Sequence, residues 1–244
     1  MVTSAETARL TQAHLAAQLG IRASVLRDIM RLFPMWNPFE IGSLEAFSAA
    51  VTLLAQQRSL DSAALAARYF EMYKAIDLGL TAGKAAVLAE PPSVAQVTAA
   101  IRATAVASFW RGIGNGLGVD EAKAMARDRL GGSVGRLAMQ GGRRTLTDAI
   151  GGDPYYRGRF IRVTDGNPCA FCAMLASRGP VYLSADKAGA SRRYHDSCGC
   201  SVMPYSGGDW PEENVQLHEA WQAMKAQGGG DLKDFRQFLD VQST

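Results

Sequence analysis

The sequence predicts a mainly helical protein with one small β module, an α+β chain in three consecutive parts. Three observations carry that expectation. Alanine is abundant, leucine is common and aromatics make up only 8% of the chain, which favours helices over strands. Apolar residues recur at helical spacing throughout the first part of the chain, and beyond Pro154 the spacing shortens to alternation. The resulting boundaries are 1–152 for a helical domain, 153–206 for the β module and 207–244 for a C-terminal helical tail.

The elements follow in order. Thr3 and Glu6 have the spacing of a capping box and open a helix that reads to Gly20, with Leu15 and Leu19 on one face. Ile21, Val25, Leu26, Ile29, Met30 and Phe33 continue an amphipathic face up to Pro34. The connector "MWNPFEIG" offers two buried anchors, Trp36 and Phe39. From Ser43 to Leu78 the pattern is helical again, with a break expected near Arg58–Leu60 and Asp61 as the second cap. After "AEPPS", Ser93 starts a helix carrying Val94, Val97, Ile101, Val106 and Trp110, and "GIGNGLG" stops it. Glycine pairs at 131–132, 141–142 and 151–152 then read as the ends of short helices.

Within the β module, "RFIRVTDG" alternates as a strand should and ends in an Asp-Gly turn, and "PVYL" and "CSVMPY" supply two further short strands. Pro211 opens a helix bearing Val215, Leu217, Trp221 and Met224. Asp231 caps a last helix with Leu232, Phe235, Phe238 and Leu239 on one side, too short to stand alone and so expected to dock.

Composition excludes some classes. With 48% hydrophobic and 20% charged residues the chain is globular rather than disordered. Its best apolar run, "AFSAAVTLLA", is about half the 18–20 residues a bilayer demands. "MVTSAETARL" has neither a basic nor an apolar signal region, so the thiols are expected in a reducing cytosol, where metal binding outranks disulfides. Charge is uneven: 101–163 holds 11 Lys/Arg against 5 Asp/Glu, whereas 164–244 holds 7 against 10. The basic middle, with Arg127, Arg129, Arg136, Arg143, Arg144, Arg157, Arg159 and Arg162, is either solvated helix surface or a face for nucleic acid or an acidic partner.

All four cysteines fall in one stretch: Cys169-x2-Cys172, 25 residues, then Cys198-x-Cys200, with His195 three places ahead of Cys198. Tetrahedral zinc takes four thiolate or imidazole ligands, typically as two turn-borne pairs. Cys169 and Cys172 form one pair, and the second is chosen from His195, Cys198 and Cys200, so five candidates compete for four places. Pairing His195 with Cys198 repeats the first spacing, and pairing Cys198 with Cys200 leaves His195 as an outer donor. A thioredoxin-like reading lacks the βαβ frame around Cys169. A zinc-deaminase reading needs an upstream His-x-Glu, and His14 is followed by Leu15 and Ala16. More soft donors than places indicates a closed, structural site, and a module of about fifty residues gains from zinc the folding energy its small core lacks. Asp165, Asp186 and Asp196 are expected to cap turns or meet Arg178, Arg192 or Arg193, while His218 is expected to be an ordinary surface histidine and His14 a helix residue. The fold class thus becomes mainly α with a zinc-stapled β module of three short strands.

The order of these parts resembles the phage minor head protein family, also called phage head morphogenesis or MuF-like proteins. That pattern has a helical region, a Cys-x2-Cys, a leucine and glycine shortly after, and a closing His-x2-Cys-x-Cys followed by proline. Here these are Cys169, Cys172, Leu175, Gly179, His195, Cys198, Cys200 and Pro204. "SRGPVY" is similar to the branch found in phages and prophages of actinobacteria, and Ser197 and Gly199 stand where many relatives carry asparagine and arginine. The resemblance implies a structural protein of the virion head, made in the bacterial host cytoplasm and acting near the portal in assembly, packaging or ejection. Its implied partners are the portal protein, major capsid or scaffold proteins and packaged DNA, with no membrane and no small-molecule substrate. No enzyme is expected. The alternative is a zinc-ribbon-like nucleic-acid-binding protein outside any virion, against which the acidic 164–244 segment counts.

Overall fold

A computed structural model describes residues 4–77, 79, 85–156, 158–189 and 194–242. Thr3, Arg157, Arg192 and Arg193 lie outside the described residues, and with them the capping role expected of Thr3. Three long helices build the frame: α1 (Ser4–Leu32), α2 (Ser43–Asp77) and α5 (Val119–Gly151), each packed on the other two. Between α2 and α5 run α3 (Val94–Ile101), a π-helical turn (Arg102–Val106) and α4 (Ala107–Gly114). Ser93 caps this run as expected, its hydroxyl accepting from Gln96 N–H while Gln96 Oε1 accepts from Ser93 N–H. Among the described residues no helix is long and apolar enough to cross a membrane.

The helix breaks expected in α2 and α5 do not occur. α2 runs unbroken through Arg58–Leu60, because Asp61 pairs with Arg58 one turn back instead of capping. Arg58 also reaches Asp28 on α1 at 2.9 Å. α5 runs unbroken through both glycine pairs at 131–132 and 141–142. These glycines are not helix ends but places of close approach, to the side chains of Leu26 and Ser197 at 131–132 and to the backbone of Ser59 and Ser62 at 141–142. A Cβ on Gly141 would fall 2.9 Å from the Ser59 carbonyl carbon of α2, and one on Gly142 2.6 Å from Gln18 Nε2 of α1. At that crossing Ser62 Oγ takes the Gly142 N–H at 3.0 Å and donates to Gln18 Oε1 at 2.6 Å, so one buried network joins all three helices. Tertiary approach overrides the helix-breaking preference of glycine here.

Apolar burial is divided into clusters. The first fills the frame with Val25, Ile29, Phe47, Val51, Ile101, Phe109 and Leu130. Trp36 is buried within it, but Phe39 is 63% exposed and only touches Phe109 and Trp110 by ring edges. The connector therefore has one buried anchor, not two. The second cluster joins Tyr69, Phe70, Tyr73, Leu146 and Ile150 of the frame to Phe160, Ile161, Val163, Tyr182, Val202 and Met203. The 153–206 segment thus shares its apolar core with α2 and α5.

That segment contains β1 (Arg159–Val163) and β2 (Ser201–Tyr205), an antiparallel pair in the register Arg159↔Tyr205, Ile161↔Met203 and Val163↔Ser201. The third expected strand, "PVYL", reduces to a single bridge between Tyr182 and Phe160. The Asp165-Gly166 turn does not close a hairpin: it leads instead into α6 (Ala170–Ser177). β1 is buried at every position after Arg159 because helices α5 and α6 cover the ribbon, so its alternation does not mark a solvent face. The tail forms α7 (Glu212–Ala226) and α8 (Leu232–Gln242), which dock on α6 through Ala173, Ala176, Leu217, Met224 and Phe235. Asp231 caps α8 as expected, accepting from the Lys233 and Asp234 N–H groups.

Candidate metal centre

The 37 residues between β1 and β2 carry every candidate ligand, and the paired strand ends bring the two halves of that loop together. Cys169 is the N-cap of α6 and Cys172 sits in its first turn. The three-residue spacing therefore puts both sulfurs at the positive end of one helix, where thiolate is favoured. On the other side, Cys198 N–H closes a turn on His195 O at 3.2 Å, with Ser197 in the left-handed region at φ 67°. Ser197 N–H docks this turn on Gly132 O of α5, and Gly199 N–H donates to Asp165 Oδ2 at 2.7 Å. A Cβ at Gly199 would collide with Asp165 and Leu19, so no side chain fits at this position.

All five candidates converge. The ligand atoms of Cys169, Cys172 and His195 lie within 4.8 Å of one another, as do those of Cys172, Cys198 and Cys200. Cys172 belongs to both groups. Its sulfur is 3.8 Å from that of Cys198, the edge length of a tetrahedron whose metal–sulfur bonds are about 2.3 Å. It is also far beyond the ~2.05 Å of a disulfide, and all four cysteines are free. Cys172, Cys198 and Cys200 are buried, Cys169 is half-buried and His195 is exposed. This donor set fits a divalent metal ion of soft-ligand preference.

The sulfurs also shift one another's protonation, two downward and two upward. Hydrogen bonds from the Cys172 and Cys200 thiols, with the Arg143 cation behind them, hold Cys198 far below the usual thiol range. The Cys198 sulfur as hydrogen-bond partner pushes Cys172 up to about 12, and the Cys172 and Cys198 sulfurs, with burial, raise Cys200. Burial raises Cys169, but the Cys172 N–H and His195 outweigh it and the net direction is down. His195 is raised by the Asp196 carbonyl, which its Nδ1 meets at 2.6 Å, and by Cys169.

Two arginines read from the sequence as surface charge are part of this centre. Arg143 is buried on α5, and its Nη2 donates to Cys198 O at 2.6 Å and Cys200 O at 2.8 Å. Arg162 is fully buried on β1, and its Nη2 donates to Cys172 Sγ at 3.2 Å. Both guanidiniums lie against the Tyr194 ring, 3.8 and 4.2 Å from its centroid. Neither is available to nucleic acid. Of the other candidates, Arg127 pairs with Asp128, Arg136 with Asp196, and Arg129 donates to Ser108. Arg129, Arg144 and Arg159 are exposed. The burial of Arg143 had a signal in its helical spacing from Met139 and Leu146, and that of Arg162 in sharing a strand face with Phe160.

Asp165 accepts from Gly199 and pairs with Arg22 at 3.6 Å rather than with the expected arginines. Asp196 likewise meets Arg136, and Arg178 lies against Met174 Sδ. His14 is buried, stacked on Tyr69 at 4.4 Å, and burial lowers it to about 4. His218 anchors α7 to Ser177 O at 2.8 Å.

A family model described as "VG15 protein" matches residues 1–224. No curated protein matches the chain, and no solved structure does.

Proposed function

The chain belongs to the VG15 protein family, a phage family, and on that premise we propose that it is a structural minor protein of the virion head. It acts near the portal in head assembly, genome packaging or ejection, in contact with portal, capsid or scaffold protein and with packaged DNA. The observation that carries this reading is the convergence of Cys169, Cys172, His195, Cys198 and Cys200 on one site. These are the residues by which the chain resembles MuF-like head proteins, and they lie together at the junction of the helical frame, the ribbon and the tail.

The metal is zinc and its role is structural. Bound zinc supplies folding free energy, on the order of 10 kcal/mol in small zinc modules. The chain's own residues prepare the site: α6 presents two sulfurs, the 194–200 turn presents the others, and Arg143 pins the carbonyls of that turn to α5. Five donors for four places and three buried sulfurs describe a closed centre, whereas a catalytic zinc keeps an open position. DNA contact, if made by the basic middle, falls to the exposed Arg129, Arg144 and Arg159.

The test is quantitative mass spectrometry of gradient-purified virions and procapsids of the encoding phage, beside an amber mutant of this gene. The expected result is a low, fixed copy number in heads, with mutant particles defective in DNA filling or delivery. Absence of the chain from both particles would overturn the reading.

A further inference from the structure

We infer that the centre is a four-thiolate one, ligated by Cys169, Cys172, Cys198 and Cys200, with His195 outside it and Arg143 and Arg162 as its internal counter-ions. The inference rests on the metal reading above and decides which four of the five donors are ligands.

Charge carries the first half. Arg143 and Arg162 are 7% and 0% exposed, and neither forms an ion pair with a carboxylate among the described residues. Guanidinium stays protonated in proteins, and a buried cation without a counter-charge is heavily penalised. Two such cations in one pocket call for two negative charges there. A divalent ion with four thiolates carries a net −2, which the two arginines neutralise, whereas three thiolates and a neutral imidazole carry −1 and leave one buried cation uncompensated. The Arg162 guanidinium faces sulfur, its Nη2 3.2 Å from Cys172 Sγ and 4.0 Å from Cys198 Sγ, while Arg143 meets the Cys198 and Cys200 carbonyls and both cations lie against the Tyr194 ring. Among the described residues, Arg143 Nε and Nη1 and Arg162 Nε have no hydrogen-bond partner, so the charge of the pocket matters to these cations beyond their hydrogen bonds.

Geometry carries the second half. Cys172, Cys198 and Cys200 occupy three corners of the site, leaving Cys169 and His195 to compete for the fourth. Cys169 is the deeper of the two and lies on the same helical turn as Cys172. His195 is exposed, and a neutral imidazole in the fourth place would leave one of the two buried arginines without a counter-charge.

The test is X-ray absorption at the zinc edge of the full-length zinc-loaded protein, with zinc affinity measured by competition against a chromophoric chelator. Four sulfur neighbours and no nitrogen are expected. Three sulfurs and one nitrogen would overturn the ligand assignment while leaving a structural metal in place, and no bound zinc in the wild type would overturn the metal reading itself. His195→Ala is expected to retain one zinc with four sulfurs, and Arg162→Gln to weaken zinc by about tenfold or more, with Arg162→Lys recovering most of that loss. Wild-type affinity in Arg162→Gln would refute the counter-ion role.

Discussion

The closest test of how the frame is assembled is the same substitution at two glycines. Gly20 lies in the middle of α1, exposed, with nothing within 4 Å of the position its Cβ would take. Gly141 lies in the middle of α5, where a Cβ would fall 2.9 Å from the Ser59 carbonyl carbon and 2.5 Å from its Oγ, with the carbonyl oxygen closer still. In both helices alanine gains about 1 kcal/mol over glycine. At Gly20 nothing opposes that gain, so Gly20→Ala should stabilise by up to about 1 kcal/mol. At Gly141 the obstacle is backbone, which cannot rotate away, so α2 must retreat by roughly 1 Å against a packed core. Overpacking of that kind costs about 1–3 kcal/mol, and a backbone clash belongs at the upper end. Net of the helix gain, Gly141→Ala should destabilise by about 2 kcal/mol. For a chain of this size each kcal/mol moves Tm by about 2–4 °C. Thermal melts followed by circular dichroism, with zinc in fixed excess so that occupancy does not vary, should show Gly20→Ala above the wild type and Gly141→Ala well below it. A Gly141→Ala melt at or above wild type would refute the close-approach account and return the glycine pairs to the role of local helix punctuation.

Two further predictions concern buried charge. Lys74 and Asp153 form an ion pair at 3.3 Å with side chains only 6% and 5% exposed. Asp153→Asn should cost about 3–5 kcal/mol by stranding the ammonium, and Lys74→Met with Asp153→Leu should recover most of it. A loss under about 1 kcal/mol in urea denaturation of the single variant would contradict this. His14 is lowered from 6.5 to about 4 by burial, so the unfolded chain takes up the proton first. Its contribution is complete above pH 6.5 and is lost as the pH falls toward 4, amounting to about 2 kcal/mol at pH 5. His14→Phe should remove that part of the acid sensitivity. Because both proteins lose metal alike, the difference in their urea midpoints between pH 7.5 and 5 isolates it, and an unchanged difference would refute the assignment.

What the sequence disclosed follows from the range over which each signal acts. Caps and periods are local, so Ser93 with Gln96, Asp231 and the apolar faces of α1, α2 and α7 were legible. The Cys and His spacing was legible as a site because each pair sits on one turn, although the choice of four ligands was not. The glycine pair at 151–152 does end a helix, but the pairs at 131–132 and 141–142 misled because a helix end and a close approach use the same residue, and at 141–142 the deciding atoms belong to Ser59 and Ser62, some eighty residues away. "PVYL" misled because strand propensity needs an edge to pair with, and Phe160 offers Tyr182 only one bridge. Arg143 and Arg162 misled most, since a cation is ordinarily surface unless something buried answers its charge. That answer lies in cysteines 10 to 57 residues distant.

Those two arginines also decide what kind of unit the centre is. A zinc module that folds by itself would keep its charge balance within its own loop. Here one counter-ion comes from α5 and the other from β1, whose carbonyl is held by Asn214 of α7 at 2.8 Å. On the four-thiolate reading, removing the metal leaves thiolates that must take up protons beside cations in walls belonging to the frame and the ribbon, so the disturbance cannot stay inside the loop. The same segment shares an apolar core with α2 and α5 through Tyr69, Phe70, Leu146 and Met203. Metal loss should accordingly loosen the helical frame along with the ribbon and the docked tail. On the proposed reading such an arrangement serves a protein that holds one shape against its neighbours, because the cysteine cluster is fixed at once to α5 through Arg143, to β1 through Arg162 and, through the Arg162 carbonyl, to Asn214 of α7.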